Sequence, residues 1–191
     1  MRQHERVTLL GSTGSIGVQT LDIVRNHPDR FSIYALVAHS RWEELARQAV
    51  EFNARRVVIG DERYYDNLKT RLAGSGIEVL VGSEAISEVA SSDECDLVVN
   101  ALVGYAGLHP TLAAIHSRKR IALANKETLV VGGDIVMSEA RRMGVDILPI
   151  DSEHSAIMQC LEGEKRQSIK NLIVTCSGGA LRDMAKEELS A

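Results

Sequence analysis

Three glycines near the N-terminus constrain the fold of this 191-residue chain more than any other feature. The mainly apolar residues 7–10 run directly into Gly11, and Gly14 and Gly17 follow at three-residue spacing. Residues 15–25 carry a helix-compatible pattern. A strand, a tight turn and a helix in this order aim backbone N–H groups and the positive end of a helix dipole at an anion. The expected anion is a pyrophosphate. Gly11 permits the tight turn, Gly14 the close backbone approach and Gly17 the packing of helix on strand.

The glycine spacing leaves an alternative open, because it is G-x-x-G-x-x-G and not the commoner G-x-G-x-x-G. A glycine-rich turn without any ligand fits the same residues. The apolar strand before the turn and the helical segment after it favour a binding site.

Beyond the turn, apolar strand patterns alternate with helical patterns to about residue 150. This alternation predicts an α/β fold, Rossmann-like and doubly wound, with a mostly parallel sheet. The alternation of strand and helix patterns is weaker after residue 150. We therefore expect a dinucleotide-binding domain over residues 1–150 and the beginning of a second, catalytic α+β domain over residues 151–191. Residues 186–191 are helix-prone and carry no stop signal, so we expect the chain to be incomplete there.

Charge, cysteine and hydropathy patterns exclude several classes of partner and compartment. The formal net charge is -4 and the pI about 5.9, so nothing global attracts nucleic acid or an anionic membrane. The three cysteines lack C-x-x-C spacing, which favours reduced cytosolic thiols over a disulfide framework. We find no signal-peptide apolar region and no apolar run near the ~20 residues that span a bilayer. We expect a cytoplasmic protein without nucleic-acid or membrane partners.

The residues after the second predicted strand, 32–38, indicate which dinucleotide is bound. An acidic residue at this point binds the ribose 2′-hydroxyl of NAD, whereas a basic residue suits the 2′-phosphate of NADP. The strand leads into His39, Ser40 and Arg41, without an Asp or Glu. Ser40 can hydrogen-bond a phosphate and Arg41 can pair with it through a planar fork of donors, which favours NADP(H). Alternatively, Ser40 caps a helix that starts at Arg41, and the two roles are compatible.

Polar groups also follow later strands, at the sheet edge where open α/β folds bind their ligands. Asn125, Lys126 and Glu127 offer an amide, a cation and a carboxylate in a row. A helix start with an acidic first turn would explain Glu127 but not Lys126. We therefore favour a functional role for this segment.

A second polar segment, Asp151, Ser152 and Glu153, directly follows an apolar strand. If the backbone stays extended, Asp151 and Glu153 converge on one face, and Ser152 points elsewhere and is available to a substrate. Two converging carboxylates suit Mg2+ or Mn2+. The alternative is a helix N-terminus with Ser152 as its cap, and the spacing does not decide between the two. Further on, Ser177 and two glycines form another turn of the anion-accepting kind.

Four motifs together strongly resemble the 1-deoxy-D-xylulose 5-phosphate reductoisomerase family. They are LGSTGSIG at residues 10–17, ANKE at 124–127, PIDSEH at 149–154 and SGG at 177–179. Their order, spacing and strand context agree with the family, and the resemblance covers nearly the whole chain. ANKE and DSEH are the more specific motifs, since other reductases share the glycine turn.

The resemblance implies a two-step reaction on a small phosphorylated sugar. A divalent metal, Mg2+ or Mn2+, holds the substrate oxygens while the carbon skeleton rearranges to 2-C-methylerythrose 4-phosphate. NADPH then reduces the aldehyde to 2-C-methyl-D-erythritol 4-phosphate, a step of non-mevalonate isoprenoid synthesis. The resemblance also implies a homodimer in the full-length form.

The resemblance further implies a role for each matching residue. The pyrophosphate of NADPH is lined by Thr13, Gly14, Ser15 and Ile16. The 2′-phosphate position is occupied by His39, Ser40 and Arg41, and the cofactor is flanked by Asn125 and Glu127. Substrate is contacted by Lys126, Ser152 and Ser177. The metal is bound by Asp151 and Glu153.

The chain departs from the family in sequence and in length. Residues 39–41 replace the usual Gly-Lys-Asn-like residues, and Ala180 stands where a proline commonly follows Ser-Gly-Gly, but neither change removes a required functional group. Family members are roughly twice as long, in keeping with one domain each for cofactor and substrate. The additional part would carry a third carboxylate ligand, a closing loop, the main phosphate-binding residues and a C-terminal helical domain. Since two carboxylates make a poor Mg2+ site, we expect the 191-residue chain to bind NADPH without turning over substrate.

Two other functions are compatible with parts of the sequence. One is a reductase of the semialdehyde dehydrogenase type, for which Cys176 is the candidate acyl-accepting thiol, so that alkylating it should abolish activity. The other is a non-catalytic NADP-binding module that senses redox state. Lys126, Asp151 and Glu153 argue against a sensor, because a sensor needs no metal site.

Overall fold

The computed structural model describes residues 4–174 of the chain. The chain divides into two compact units, Met1–Asp151 and Ser152–Ala191. The first unit is a sheet with helices on both faces. In the second unit, the described residues are 152–174.

The first unit is built on a seven-stranded sheet with the spatial order β4-β3-β2-β1-β5-β6-β7. Each strand pairs in parallel with its neighbours. In chain order the strands are β1 (Glu5–Leu10), β2 (Phe31–Ala38), β3 (Arg56–Ile59), β4 (Glu78–Val81), β5 (Leu97–Asn100), β6 (Arg120–Leu123) and β7 (Ile147–Pro149). The predicted α/β, Rossmann-like fold with a parallel sheet is confirmed.

Helices connect the successive strands, because parallel neighbours cannot be joined by a tight hairpin turn. They are α1 (Ser15–Asn26), α2 (Trp42–Glu51), α3 (Tyr65–Arg71), α4 (Gly82–Ser91), α5 (Leu108–His116) and α6 (Lys126–Met143). Short 3-10 turns at Glu62–Tyr64 and Gly104–Gly107 precede α3 and α5. Helix α6 is kinked at Gly132, where a Cβ would lie 2.8 Å from a methyl carbon of Leu108.

The sheet is buried on both faces, as the uninterrupted apolar strands require. Successive side chains of a strand point to opposite faces, so Leu9 and Leu10 belong to different cores. Leu9 packs in a core with Leu36, which α1, α2 and α3 cover. Leu10 packs in a second core with Val37, which α4, α5 and α6 cover. Both leucines are fully buried, which anchors β1 between the two layers.

The strand order reverses at β1, which is the point at which open α/β sheets bind ligands. In the ladder, Leu10 lies opposite Val37 on one side and opposite Asn100 on the other. The turn after β1 therefore lies beside the segment after β2 and the loop after β5. The fold places the predicted pyrophosphate turn in the crevice between these segments.

The second unit contains helix α7 (Ser152–Leu161) and a 3-10 turn at Arg166–Ser168 within its described residues. Ser177 and Cys176, to which the sequence assigns roles, lie outside the described residues. Within residues 4–174, no helix combines the length and the apolar character needed to cross a membrane.

Candidate cofactor and active site

The turn after β1 is held by backbone groups of the neighbouring strands. The N–H groups of Gly11 and Ser12 both donate to the carbonyl oxygen of Val37, at 2.9 Å each. Gly11 has a φ of 88°, and a Cβ there would lie 2.5 Å from the carbonyl oxygen of Ala101. Backbone conformation and the end of β5 therefore both exclude a side chain at Gly11.

The other two glycines differ in what surrounds them. A Cβ at Gly17 would lie 2.3 Å from the carbonyl oxygen of Gly11, so helix α1 rests directly on the turn. A Cβ at Gly14 would meet the same oxygen at 3.5 Å, which is an ordinary contact. Among the described residues, nothing in the fold demands glycine at position 14, and the space above it is open to a ligand.

Helix α1 begins with unused hydrogen-bonding capacity. Gly14 is its N-cap, no side chain caps it, and its first turn contains no acidic residue. The first N–H groups of a helix, here those of Ser15 and Ile16 among others, have no acceptor within the helix. A phosphate at this point would accept these N–H groups and meet the positive end of the helix dipole.

A cavity of about 440 Å³ opens beside the turn. It is lined by Gly11, Thr13 and Gly14 together with Gly60 after β3, Ile86 of α4 and residues of the loop after β5. The segment after β2 also lines it, through His39, Ser40 and Arg41. The structure thus brings the predicted pyrophosphate turn and the predicted 2′-phosphate residues to one cavity. Neither Gly60 nor Ile86 was predicted, because neither carries a polar group.

Arg41 connects the two parts of this cavity. Its Nη1 donates to the carbonyl oxygen of Thr13 at 3.0 Å. A guanidinium has five N–H donors in a planar fork, so the same side chain can also bind a phosphate. The predicted capping of α2 by Ser40 is wrong, because the helix starts at Trp42 and no side chain caps it. Instead, the carbonyl oxygen of Ser40 accepts the N–H of Trp42 at 2.9 Å, which forms a turn before the helix.

An acidic residue that was not predicted lies close to His39. The N–H of Asp61 donates to the carbonyl oxygen of His39 at 2.9 Å. Its carboxylate pairs with Arg63 at 2.6 Å, and the hydrogen bond from Arg63 lowers the pKa of Asp61 to about 2. This negative charge is therefore paired at the place where an anionic cofactor is predicted.

Asn100, the last residue of β5, holds the loop that follows it. Its side chain is fully buried, and its Nδ2 donates to the carbonyl oxygen of Gly107 at 3.0 Å and to Thr111 Oγ1 at 2.8 Å. Its Oδ1 accepts the N–H of Leu102 at 3.2 Å. The sequence contained a signal for this role, because an amide that ends an apolar strand must find partners when it is buried.

Asn125 supports the same loop from β6. Its Nδ2 donates to the carbonyl oxygens of Leu102 and Gly104 at 2.6 and 2.8 Å, and its Oδ1 caps α6 by accepting the N–H of Thr128 at 2.8 Å. The side chain is 2% exposed. Its amide is thus engaged in shaping the loop, and a contact between Asn125 and the cofactor stays a prediction.

Lys126 and Glu127 are the first two residues of α6, and both are exposed. The predicted helix start with an acidic first turn is confirmed for Glu127. Both residues follow β6, which pairs in parallel with its neighbours, so they lie at the carboxyl edge of the sheet, where ligands bind in this fold. Their roles toward substrate and cofactor stay predictions.

The segment after β7 takes the helical one of the two conformations that the sequence left open. The N–H of Ile150 donates to the carbonyl oxygen of Leu123 at 3.0 Å, which keeps the chain beside β6. Helix α7 then begins with Ser152 as its first residue, and Glu153 lies in its first turn. The backbone is therefore helical and not extended from Ser152 onward, and the binding of metal by Asp151 and Glu153 stays a prediction. An acidic first turn interacts favourably with the helix dipole, which accounts for the helix start.

Within residues 4–174, no group of three or more His, Cys, Asp or Glu side chains is arranged to hold a metal ion. Ser152 Oγ donates to Glu153 Oε2 at 2.8 Å. The assignment of Asp151 and Glu153 as metal ligands consequently rests on the resemblance and not on a cluster in the described structure.

Comparison with known proteins identifies the family. The model of the 1-deoxy-D-xylulose 5-phosphate reductoisomerase family matches residues 7–133, and the model of its C-terminal domain matches residues 147–191. The curated reductoisomerase of Geobacillus sp. (strain WCH70) is 48% identical over 184 residues, which cover 96% of this chain and 48% of that protein. That of Bacteroides thetaiotaomicron is 46% identical over 189 residues, which cover 99% and 48%.

A solved structure agrees with these relatives. The 1-deoxy-D-xylulose 5-phosphate reductoisomerase from Zymomonas mobilis, in complex with NADPH, matches with a TM-score of 0.87 and 43% identity, over 97% of this chain and 49% of that one. A DOX-P reductoisomerase in complex with NADPH, fosmidomycin and magnesium matches with a TM-score of 0.79 and 45% identity, over 82% and 38%. The chain spans about half the length of the curated relatives it matches. It belongs to the 1-deoxy-D-xylulose 5-phosphate reductoisomerase family.

Proposed function

We propose that this chain carries the NADPH-binding part of a 1-deoxy-D-xylulose 5-phosphate reductoisomerase. In this proposal residues 1–150 form the NADPH-binding domain, and residues 151–191 begin the catalytic domain. The whole enzyme rearranges 1-deoxy-D-xylulose 5-phosphate and reduces the product to 2-C-methyl-D-erythritol 4-phosphate. The observation that carries the proposal is the cavity of about 440 Å³ that joins the glycine turn to His39, Ser40 and Arg41.

The donor groups at this cavity suit the two anionic parts of NADPH. The pyrophosphate binds at the turn, where Gly14 carries no side chain and the first N–H groups of α1 are available. The ribose 2′-phosphate binds Ser40 and Arg41, while Arg41 keeps its hydrogen bond to Thr13. The complex of the Zymomonas mobilis relative with NADPH supports the same cofactor.

The remaining assigned residues would serve the chemistry of the whole enzyme. NADPH supplies the hydride, and a divalent metal supplies a Lewis acid for developing oxyanion charge. Substrate contacts come from Lys126, Ser152 and Ser177, Glu127 and Asn125 flank the cofactor, and Asp151 and Glu153 bind metal. The described residues do not by themselves make a complete site for Mg2+, which demands near-octahedral oxygen ligands. We propose that the 191-residue chain binds NADPH without turning over substrate.

The setting of the whole enzyme is also a proposal. Fosmidomycin complexes of family members support a small phosphorylated sugar as substrate. The net charge of -4 supports the absence of nucleic-acid and membrane partners. We place the full-length enzyme in the cytoplasm as a homodimer.

Calorimetric titration of the 191-residue chain with NADPH and with NADH tests the cofactor assignment. NADPH should bind more tightly, and Arg41→Ala should reduce the preference by about tenfold, because it removes a charge-assisted hydrogen bond. Arg71→Ala is the matched control, since Arg71 is exposed on α3 and does not line the cavity. Equal affinity for the two cofactors in the wild-type chain would contradict the assignment.

Turnover is tested with the same chain, 1-deoxy-D-xylulose 5-phosphate, NADPH and Mn2+. We expect no oxidation of NADPH above the rate without substrate. Substrate-dependent oxidation would show that the chain holds a complete metal site.

A further inference from the structure

Gln48 is a polar residue on the buried face of α2. It is 1% exposed and shares this face with Leu45 and Ala49. Its Nε2 donates to the carbonyl oxygen of Ser12 at 3.1 Å and to Glu44 Oε1 at 3.2 Å. Its Oε1 has no hydrogen-bond partner within the described part of the chain. Burying an amide with an unpaired oxygen is unfavourable, so packing alone does not account for a glutamine here.

The orientation of this amide follows from its two neighbours. The Ser12 carbonyl and the Glu44 carboxylate can only accept hydrogen bonds, so the NH2 group of Gln48 must face both. The hydrogen bond from Arg47 lowers the pKa of Glu44, which keeps this second acceptor ionised. Reversing the amide would set its oxygen against two acceptors. The contact between Gln48 and Ser12 is therefore determined by chemistry as well as by shape.

The contact sets the direction of the peptide group between Ser12 and Thr13. In a planar trans peptide, the C=O and N–H bonds point in opposite directions. The Ser12 carbonyl oxygen points toward Gln48 and toward Gly17, where a Cβ would lie 2.6 Å from it. The N–H of Thr13 must then point the other way, and Thr13 lines the cavity. Within the described residues, the backbone hydrogen bonds of the turn leave this N–H unused.

We propose that Gln48 is a positioning residue for the dinucleotide: by holding the Ser12 carbonyl oxygen, it aims the Thr13 N–H at the pyrophosphate. This inference rests on the proposed binding of NADPH. Arg41 holds the next carbonyl oxygen, that of Thr13, at 3.0 Å. Arg41 is the N-cap residue of α2 and Gln48 lies inside the helix, so the two donors come from the start and the body of one element. Helix α2 and its N-cap residue thus hold two consecutive carbonyl groups, and Gln48 does so without lining the cavity.

The test compares Gln48→Met with Gln19→Met in the 191-residue chain. Methionine keeps the length of the side chain and removes the donor. Gln19 is the matched control, because it is exposed on α1, close to the same turn. Dissociation constants are measured for NADPH, for NADH and for adenosine 2′-monophosphate, which has no pyrophosphate. Melting in the absence of ligand checks that each variant is folded.

We expect Gln48→Met to bind NADPH and NADH about tenfold more weakly and adenosine 2′-monophosphate as well as the wild type does. Gln19→Met should leave all three constants unchanged. Unchanged affinity of Gln48→Met for NADPH, or an equal loss for all three ligands, would overturn the inference. If Gln48→Met does not fold, Gln48→Asn decides by the same criteria, because its buried amide is one methylene too short to reach Ser12. Failure of the proposed function gives a different result, since the wild-type chain itself would then not bind NADPH.

Discussion

The turn after β1 and the segment after β7 end strands at the same edge of the sheet, but they are built from different groups. The turn is held in place by the carbonyl oxygen of Val37 and by the contacts around Gly11 and Gly17. It presents other backbone N–H groups, those at the start of α1, to a ligand. The segment after β7 offers the side chain of Asp151, and a divalent metal needs several such ligands. An anion site formed by backbone N–H groups is complete once its strand, turn and helix have folded. A metal site formed by side-chain ligands is complete only when every segment that supplies a ligand is present.

The largest effect is expected when the packing of the turn is broken. In Gly17→Ala the new Cβ would lie 2.3 Å from the Gly11 carbonyl oxygen, so the free energy of unfolding should fall by about 3 kcal/mol. Urea unfolding measures this change. Gly133→Ala in α6 is the control, because its Cβ would meet only Leu129, at 3.9 Å, and alanine favours helix by about 0.5–1 kcal/mol. Similar stabilities of the two variants would show that the turn is not tightly packed.

The next test contrasts ligands of the two regions directly. NADPH at about 100 times its dissociation constant should raise the melting temperature of the chain by roughly 5–10 °C, through mass action on the folded state. Mn2+ alone should change the melting temperature much less, because two carboxylates, those assigned to Asp151 and Glu153, make a poor site for a hard divalent cation. A comparable shift with Mn2+ would contradict the difference between the regions, and Asp151→Asn would then show whether Asp151 is a ligand.

A smaller effect separates packing from binding inside the turn. In Gly14→Ala the Cβ would lie 3.5 Å from its nearest protein atom, so urea unfolding should give nearly the wild-type stability. The same Cβ would occupy the space of the pyrophosphate, and NADPH should bind about tenfold more weakly. A loss of stability like that of Gly17→Ala would mean that the fold, and not the ligand, requires this glycine.

The smallest effect concerns charge next to the cavity. Arg63 lowers the pKa of Asp61 from 3.8 to about 2, so the unfolded chain takes up the proton first as pH falls. This carboxylate therefore stabilises the fold above about pH 4, and its contribution is lost as the pH falls toward about 2. Asp61→Asn should flatten this part of the profile of urea midpoint against pH. Glu139→Gln serves as a comparison away from the cavity, since Arg142 lowers the pKa of Glu139 to about 2 as well. An unaltered profile in both variants would contradict the pairing.

Local sequence patterns predicted the fold and the glycine turn well. The periodicity of a strand or helix, and the need for glycine at a turn, are set by residues that are close together in the sequence. Predictions that needed the exact course of the backbone were less successful. Whether Ser40 caps a helix depends on a single residue of helix boundary, and whether the backbone stays extended after Asp151 depends on where α7 begins. Sequence patterns do not resolve boundaries at that level.

The buried amides were missed for a different reason. Gln48 falls on the apolar face of α2 with Leu45 and Ala49, and Asn100 ends an apolar strand. Each is a polar residue in a buried pattern, which indicates that a partner exists but not where it lies in the chain. Ser12 is 36 residues from Gln48, and only the fold brings the two together.

The hydrogen bond from Arg41 to the Thr13 carbonyl oxygen has a consequence for redesign of cofactor preference. Replacing Arg41 by an acidic residue to favour NAD would exchange a donor for an acceptor. The Thr13 carbonyl would lose its partner, so the change would disturb the part of the site that both dinucleotides share. A successful exchange in this chain must therefore supply a new donor to Thr13 along with the new contact to the ribose.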